Sequence, residues 1–465
     1  MLKRTALTLC IAGGVLCSNA QAPQLLTLKQ AVQTALANYG TIKAKEAYAR
    51  ASRASVQQSI KEYLPDLSLS AQQDYGTING LTGPSYGYRG GSTAASGPAL
   101  ANQNWNAAFG ALYLANINWD FFSFGKAKEK INVAKSVLAR DESDLVQEQF
   151  QHEIKVASAY LNLLAAQRLT RSWQNNLNRA DTLRHVVVTR ALNGLIAGVD
   201  SSQANAELSS ARITLTKAKD AEQEQANQLA RLMGVPVQEF ILDTFFISKV
   251  PTAAYDSIPV QQHPVLQYYK SRIDLSNQQA KYYRTFNYPT FSAFGLLQGR
   301  GSGFDWNYGQ LNQNLDHYTT NYWDGVQSMR GNYLVGLGMT WNLTTPLRVK
   351  QQVAAQRFTS QGLQAEYELA DQQLKAQLAL ASTKMRNALA NYAEAPIQVK
   401  SASDAYNQKK VLYTNGLSNI VEVTQALYIV NRSETDRDIA YTNVWQALLL
   451  KAAASGNFEL FINEF

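Results

Sequence analysis

The stretch Asn193-Gly194-Leu195-Ile196-Ala197-Gly198-Val199-Asp200-Ser201-Ser202-Gln203-Ala204 decides how this chain is read, because it comes back. It recurs as Asn415-Gly416-Leu417-Ser418-Asn419-Ile420-Val421-Glu422-Val423-Thr424-Gln425-Ala426, 222 residues later. Each copy stands between two runs of helical periodicity. Its glycine suits the left-handed backbone that ends a helix. Its acid, Asp200 or Glu422, falls where the opening turn of the next helix favours negative charge. Each copy therefore predicts a tight turn joining two helices.

Outward from the turns the same offset holds. Trp119 pairs with Trp341 and Gly234 with Gly456, both 222 residues apart. Anchors sharing one offset mean that about 115 residues repeat without a net insertion. Upstream, Tyr63-Leu64-Pro65 parallels Asn287-Tyr288-Pro289 with an offset of 224, so a two-residue slip lies in the loops between. Each half reads as helix, strand, long loop, strand, very long helix, tight turn, helix. The expected organisation is a first repeat over 21–240, a linker over 241–260 and a second repeat over 261–465.

In the first half a helical stretch is expected from about Leu28 to Glu62, after which Pro65 turns the chain to extended structure. Strands are expected at about 66–75 and 107–121, then a helical hairpin at about 123–234. The second half predicts strands at about 288–298 and 331–343 and a hairpin at about 345–456. The later strand of each pair alternates cleanly. Phe109, Ala111, Tyr113, Ala115, Ile117, Trp119 and Phe121 share one face, and Tyr333, Val335, Leu337, Met339, Trp341 and Leu343 share its counterpart. The opposite faces are rich in Gly, Asn and Thr. This period-2 pattern fits a wall between lipid and a wet lumen, and equally a half-buried strand of a soluble sandwich.

The helices weigh against the sandwich. From about Ser123 to Gly194 there is no proline, and the only glycines stand at the ends, Gly125 and Gly194. Roughly 70 helical residues would span about 105 Å, several times the width of a small domain. In the return helix Ala204, Leu208, Ala211, Leu215 and Ala218 keep an unbroken four-three spacing that suits close antiparallel packing.

The N-terminus carries Lys3 and Arg4, an apolar stretch from Ala6 to Leu16, and small residues at Ser18, Ala20 and Ala22. This is the layout of a secretory signal peptide, expected over 1–20. The two cysteines, Cys10 and Cys17, lie inside it, so the mature chain has no disulfide or thiolate chemistry. Leu16 stands before Cys17 where lipid attachment calls for a small residue. Losing the segment removes Lys3 and Arg4 and no acid, leaving +6 of the net +8, a spread excess that does not point to nucleic acid. No later apolar run approaches the about 18 residues of a transmembrane helix, so a membrane location requires a closed β-barrel.

Catalytic and metal chemistry find no support in the spacing. His152, His185, His263 and His317 are scattered. The chain has no phosphate loop, nucleophile elbow or zincin motif. Gly299-Arg300-Gly301-Ser302-Gly303 looks briefly like a dinucleotide fingerprint, but Phe304 takes the place of the last glycine and no helix follows; a flexible extracellular loop is expected instead. The chain is read as a non-enzyme without cofactor.

Four strands cannot close a barrel around an open lumen, and open edges cannot stand in hydrocarbon. Several copies must pool their strands, or the strands lie outside a membrane, as in a periplasmic coiled-coil scaffold or adaptor without a barrel.

Two tandem units, each a strand pair followed by a long antiparallel helical pair, resemble the TolC family of outer-membrane factors over essentially the whole mature chain. The turns carry the family pattern of a glycine, an acid opening the return helix, then Gln203-Ala204 or Gln425-Ala426. The departures are Ser201, where an apolar residue is usual and Val423 keeps it, and Glu422 in place of the commoner Asp. The resemblance implies transmembrane β-barrel strands, four per protomer, shared in a homotrimer. It implies that they continue into a long antiparallel α-helical periplasmic tunnel. It implies a passive conduit through the outer-membrane lipid, serving a tripartite efflux or type I secretion system. The partners implied are a periplasmic adaptor (membrane fusion) protein and an inner-membrane RND or ABC-type transporter. Asn193, Gly194, Leu195, Asp200, Asn415, Gly416, Leu417 and Glu422 become expected partner contacts at the periplasmic tip; the plainer reading of the acids is helix capping. Trp119 and Trp341 become expected membrane-interface aromatics, or packing at the barrel base.

Overall fold

The protein is described here from a computed structural model, covering residues 25–80, 99–243, 245–251, 262–310 and 315–464. The expected signal peptide, with Cys10 and Cys17, lies outside the described residues, as do half of the expected linker and much of the first glycine-rich loop.

The chain is helix-rich with one substantial sheet. The first half contains β1 (Leu25–Leu26), α1 (Leu28–Asn38), α2 (Gly40–Lys61), β2 (Asp66–Thr77), β3 (Ala107–Phe122), α3 (Lys126–Leu192) and α4 (Gly198–Met233). There follow β4 (Ile241–Leu242), α5 (Phe245–Ser248), α6 (Pro264–Arg284), β5 (Thr290–Ser302), α7 (Tyr322–Val326) and β6 (Arg330–Thr340). The chain ends with α8 (Thr345–Thr414), α9 (Ile420–Ser455) and α10 (Glu459–Ile462). The α3 helix runs unbroken for 67 residues, as its lack of interior proline and glycine predicts. The α8 helix runs for 70 residues and tolerates Pro396, which removes one backbone donor from its ladder. No described helix is long and apolar enough to cross a membrane.

Two expectations need correction. The helix expected from Leu28 to Glu62 is two helices, broken at Tyr39, whose backbone is extended (φ −66°, ψ 122°). The Tyr39 ring instead stacks on His152, with ring centroids 3.8 Å apart. The glycine run at 299–303 is not a free loop: Gly299 and Gly301 belong to β5.

The chain forms two compact units. One takes residues up to Ala47, Ser143–Tyr268 and everything from Tyr367. Its core gathers Leu28, Val156, Tyr160, Leu161, Leu229, Trp445, Leu448 and Phe461, all essentially fully buried. The Tyr160 hydroxyl donates to the Leu26 carbonyl at 2.8 Å and accepts from the Asp243 amide at 3.1 Å, tying down the ends of the parallel β1–β4 pair. Burial pushes the phenol up to about 12, with the hydrogen bond from the Asp243 amide opposing the shift.

The other unit takes Tyr48–Glu142 and Tyr269–Glu366 and holds an antiparallel sheet of order β2-β3-β5-β6. Cross-strand partners share a face, so the register decides which side chains stand together. Leu69 faces Ala115, Ala115 faces Leu297, and Leu297 faces Tyr333. One step down, Leu67, Ile117, Gly295 and Val335 align in the same way. One face is therefore apolar across all four strands. The other is mixed, with Ser68, Asn116, Leu296 and Leu334 in one row and Ser70, Leu114, Gln298 and Asn332 in the next. Leu69, Tyr333, Val335 and Leu337 are each nearly four-fifths exposed, an amount of apolar surface that water does not favour.

Candidate functional site: the paired helical turns

Both expected turns form, and they form alike. Gly194 (φ 72°) and Gly416 (φ 76°) take the left-handed conformation. Leu195 N–H donates to the Arg190 carbonyl and Leu417 N–H to the Leu412 carbonyl, each at 2.9 Å. Gly194 N–H donates to Ala191 and Gly416 N–H to Tyr413, each at 3.0 Å, completing two Schellman closures. Open space surrounds both glycines, so their identity is set by backbone conformation and not by crowding.

The return helices start differently. Asn419 caps α9, its side chain accepting from the Glu422 amide at 2.9 Å, whereas Ala197 gives α4 no side-chain cap. Asp200 and Glu422 both fall in the first turn. Glu422 also accepts from the Lys409 ammonium at 2.6 Å and the Ser418 hydroxyl at 2.9 Å. The lysine, then the serine, hold its carboxyl below the usual range. Val423 is fully buried, while Ser201 is only partly covered.

Tyr413 and Arg190 link the two turns, a role their sequence positions alone did not disclose. The Arg190 guanidinium donates to the Tyr413 and Thr414 carbonyls at 2.9 and 3.0 Å, neutralising the open C-terminal end of α8. It also lies 5.4 Å from the centroid of the Tyr413 ring. Tyr413 is buried in a cluster with Val187, Tyr406, Ile420 and Leu427. Burial first, and Asp200 second, push its phenol up, with Arg190 opposing. A cation in the last turn of α3 was the one available signal. Further along, Arg179 bonds Glu434 through two nitrogens, at 3.1 and 2.6 Å, and Asn431 at 2.7 Å, and Asn431 donates to Asn176. This polar layer joins α3 of the first half to α9 of the second.

Leu195 and Leu417, by contrast, project outward, 66% and 74% exposed, together with Val199 and Val421. Each turn thus offers an apolar tip on a rigid hairpin. The expected interface aromatics lie in the sheet unit. Trp119 is 37% exposed at the end of β3, and Trp341 is 50% exposed just beyond β6.

Among the described residues no group of histidines, cysteines or acids could hold a metal ion. Residues 31–235 match the family model described as outer membrane efflux protein. No curated protein sequence matches the chain. Solved structures do. The outer membrane protein VceC of Vibrio cholerae aligns with a TM-score of 0.71 at 19% identity, over 92% of this chain and 96% of that one. The CmeC outer membrane channel of Campylobacter jejuni gives 0.72 at 16%, over 92% and 85%. The open state of the Neisseria gonorrhoeae MtrE outer membrane channel gives 0.68 at 15%, over 92% and 89%. At such identities these likenesses establish a shared fold, extending the match beyond the first half. Residues 31–235 thus resemble the outer membrane efflux protein family, and the chain as a whole shares the fold of these outer-membrane channel structures.

Proposed function

We propose that this protein is one subunit of a homotrimeric channel whose pooled strands close a barrel in the outer membrane and whose helices continue as a periplasmic tunnel. One observation carries the reading: a four-stranded sheet has a single apolar face across all its strands, and no strand partner beyond β2 or β6 among the described residues. Such a face seeks hydrocarbon, and such edges cannot stand there alone. Pairing β6 of one copy with β2 of the next meets both demands, and three copies supply the strands of a barrel with an open lumen.

The two halves, 21–240 and 261–465 around a linker at 241–260, then act as quasi-equivalent wall segments derived from one repeated unit. The turns at Asn193–Leu195 and Asn415–Leu417 form the periplasmic tip. Their exposed leucines, with Asp200 and Glu422 behind them, are suited to docking a periplasmic adaptor protein, which would connect the duct to an inner-membrane RND or ABC-type transporter. The channel itself is a passive conduit, for efflux or for type I secretion.

The test is the mass of the detergent-extracted protein after membrane fractionation and correction for bound detergent. A trimer in the outer-membrane fraction is expected. A soluble periplasmic monomer would overturn the pooled barrel in favour of a coiled-coil scaffold.

A further inference from the structure

The glycine run that resembles a dinucleotide motif has another use. Along β5, Gly299 and Gly301 fall on the apolar face, because they pair with Tyr113 and Ala111 of β3. With no side chains there, the strand offers a bare track, and the segment around α7 lies in it. A Cβ on Gly301 would stand 2.5 Å from the Gln327 carbonyl oxygen and 2.7 Å from that of Gly325. A Cβ on Gly299 would meet the Ser328 hydroxyl at 2.8 Å. Gly325 in turn rests on Phe109, where a Cβ would come within 2.5 Å of the phenylalanine Cβ.

Polar contacts hold the segment in this seat. The Tyr113 hydroxyl donates to the Val326 carbonyl at 3.0 Å, the Tyr322 hydroxyl to Gln73 at 2.8 Å, and Met329 N–H to the Arg300 carbonyl at 2.8 Å. The Tyr322 ring meets Phe109 edge-on, and Asn321 caps the short helix through the Trp323 amide. Trp323 itself is left 73% exposed.

Height along the sheet gives that tryptophan a purpose. Ten residues of β3 separate Trp119 from Phe109. At about 3.3 Å per residue and a tilt of 35–45° they rise roughly 25 Å, the height of the apolar band that separates the two aromatic girdles of an outer-membrane barrel. Trp119 and Trp341 mark one edge of the band, and the strap carrying Trp323 marks the other.

We propose that the Tyr322–Val326 strap, seated on the β5 glycine track, is an outer-leaflet anchor: it covers the extracellular end of the apolar face and presents Trp323 to the lipid interface. This rests on the apolar face being the lipid-facing one. Tryptophan suits that depth because its ring is apolar and its N–H can reach water or headgroups.

The test uses the full-length trimer in phosphatidylcholine vesicles, with an environment-sensitive fluorophore on a cysteine introduced as Trp323→Cys or, separately, Leu337→Cys. Quenching is compared among lipids spin-labelled near the headgroup, lipids labelled deep in the chain, and aqueous iodide. The expected result is that position 337 responds to the deep label, while position 323 responds to the shallow label about twofold or more above the deep one. If 337 responds to the deep label and 323 only to iodide, the anchor is overturned and the barrel orientation stands. If 337 also responds only to iodide, the orientation fails and the anchor falls with it.

Discussion

The indole N–H of Trp119 donates to the Tyr63 carbonyl at 2.9 Å, and Trp341 repeats the contact on the Asn287 carbonyl at 3.1 Å. Tyr63 and Asn287 each stand two residues before a proline, Pro65 and Pro289, where a helix gives way to a strand. The tryptophans therefore latch the end of one strand to the start of its neighbour. This is a more definite role than an aromatic at a membrane boundary, and compatible with it, since both rings stay partly exposed.

Replacing either tryptophan with Phe keeps the ring and removes the donor. The expected loss is about 0.5–1.5 kcal/mol per site, the ordinary net worth of a hydrogen bond. Trp119→Phe and Trp341→Phe should each lower the temperature at which the trimer dissociates in detergent, and the double variant should add the two effects. An unchanged dissociation temperature would leave only the interface role.

Arg190 binds two carbonyls at the end of α8 and lies over Tyr413. Hydrogen bonds to a charged group contribute about 1.5–3 kcal/mol. Arg190→Met keeps part of the packing and loses the charge and donors. Amide exchange over Tyr413–Leu417 should accelerate about tenfold or more, since 1.4 kcal/mol is a tenfold change. Unaltered protection would mean that the cluster around Tyr413 holds the turn without the arginine.

The second turn should be acid-sensitive. The Glu422 carboxyl titrates below its ordinary value because Lys409 and Ser418 favour its charged form. For a depressed carboxylate the stabilisation is fully present above the unfolded-state value of about 4.5 and is lost as the pH falls through the folded-state value. Exchange at Leu417–Val423 should therefore rise at pH values below the ordinary carboxylate range. Glu422→Gln should remove that dependence while Asn419 continues to cap the helix. A pH profile that survives the substitution would assign the sensitivity to another group.

The repeated turns and the two-faced strands were legible in the sequence because they depend on local rules: a glycine for a left-handed residue, a period of two for a sheet. In the structure β2 spans Asp66–Thr77 and β3 Ala107–Phe122, whereas β5, expected to end near 298, runs on to Ser302, and β6 ends at Thr340, short of Trp341 and Leu343. The break at Tyr39 was not legible, since nothing local forbids a helix there; the stack on His152, over a hundred residues away, favours the kink. Arg190 with Tyr413 and Arg179 with Glu434 were likewise hidden, because each pair joins the two halves and no spacing encodes that meeting. The glycine track failed for a related reason. Alternating glycines signify a close backbone approach, but only the sheet register identifies α7 as the approaching chain.

Gly194 and Gly416 separate two explanations of the turns. Both have positive φ and open surroundings, so a side chain meets backbone strain and no clash. A β-branched residue at such a φ costs on the order of 1–2 kcal/mol, and Asn costs less. Gly194→Asn and Gly416→Asn should keep transport, while the Val variants should impair it with trimers still forming. If trimers of the Val variants transport normally, the turns are caps alone and the exposed leucines have no partner.

Leu337 and Asn332 give opposite forecasts on one strand. Leu337 lies on the apolar face, with Ala293 as its partner, and Asn332 on the polar face, with Gln298 as its partner. If the apolar face meets hydrocarbon, Leu337→Arg places a charge in the band at a cost of up to about 2–4 kcal/mol near mid-membrane, whereas the lumen tolerates the same side chain. The Leu337→Arg variant should yield fewer assembled trimers in the outer-membrane fraction, and Asn332→Arg should assemble normally. Neither fold class nor helix length makes that distinction; it follows from the face each residue occupies. The reverse result would turn the barrel inside out, placing the polar rows against lipid, which the physical chemistry of the bilayer does not permit. It would therefore remove the sheet from the membrane altogether.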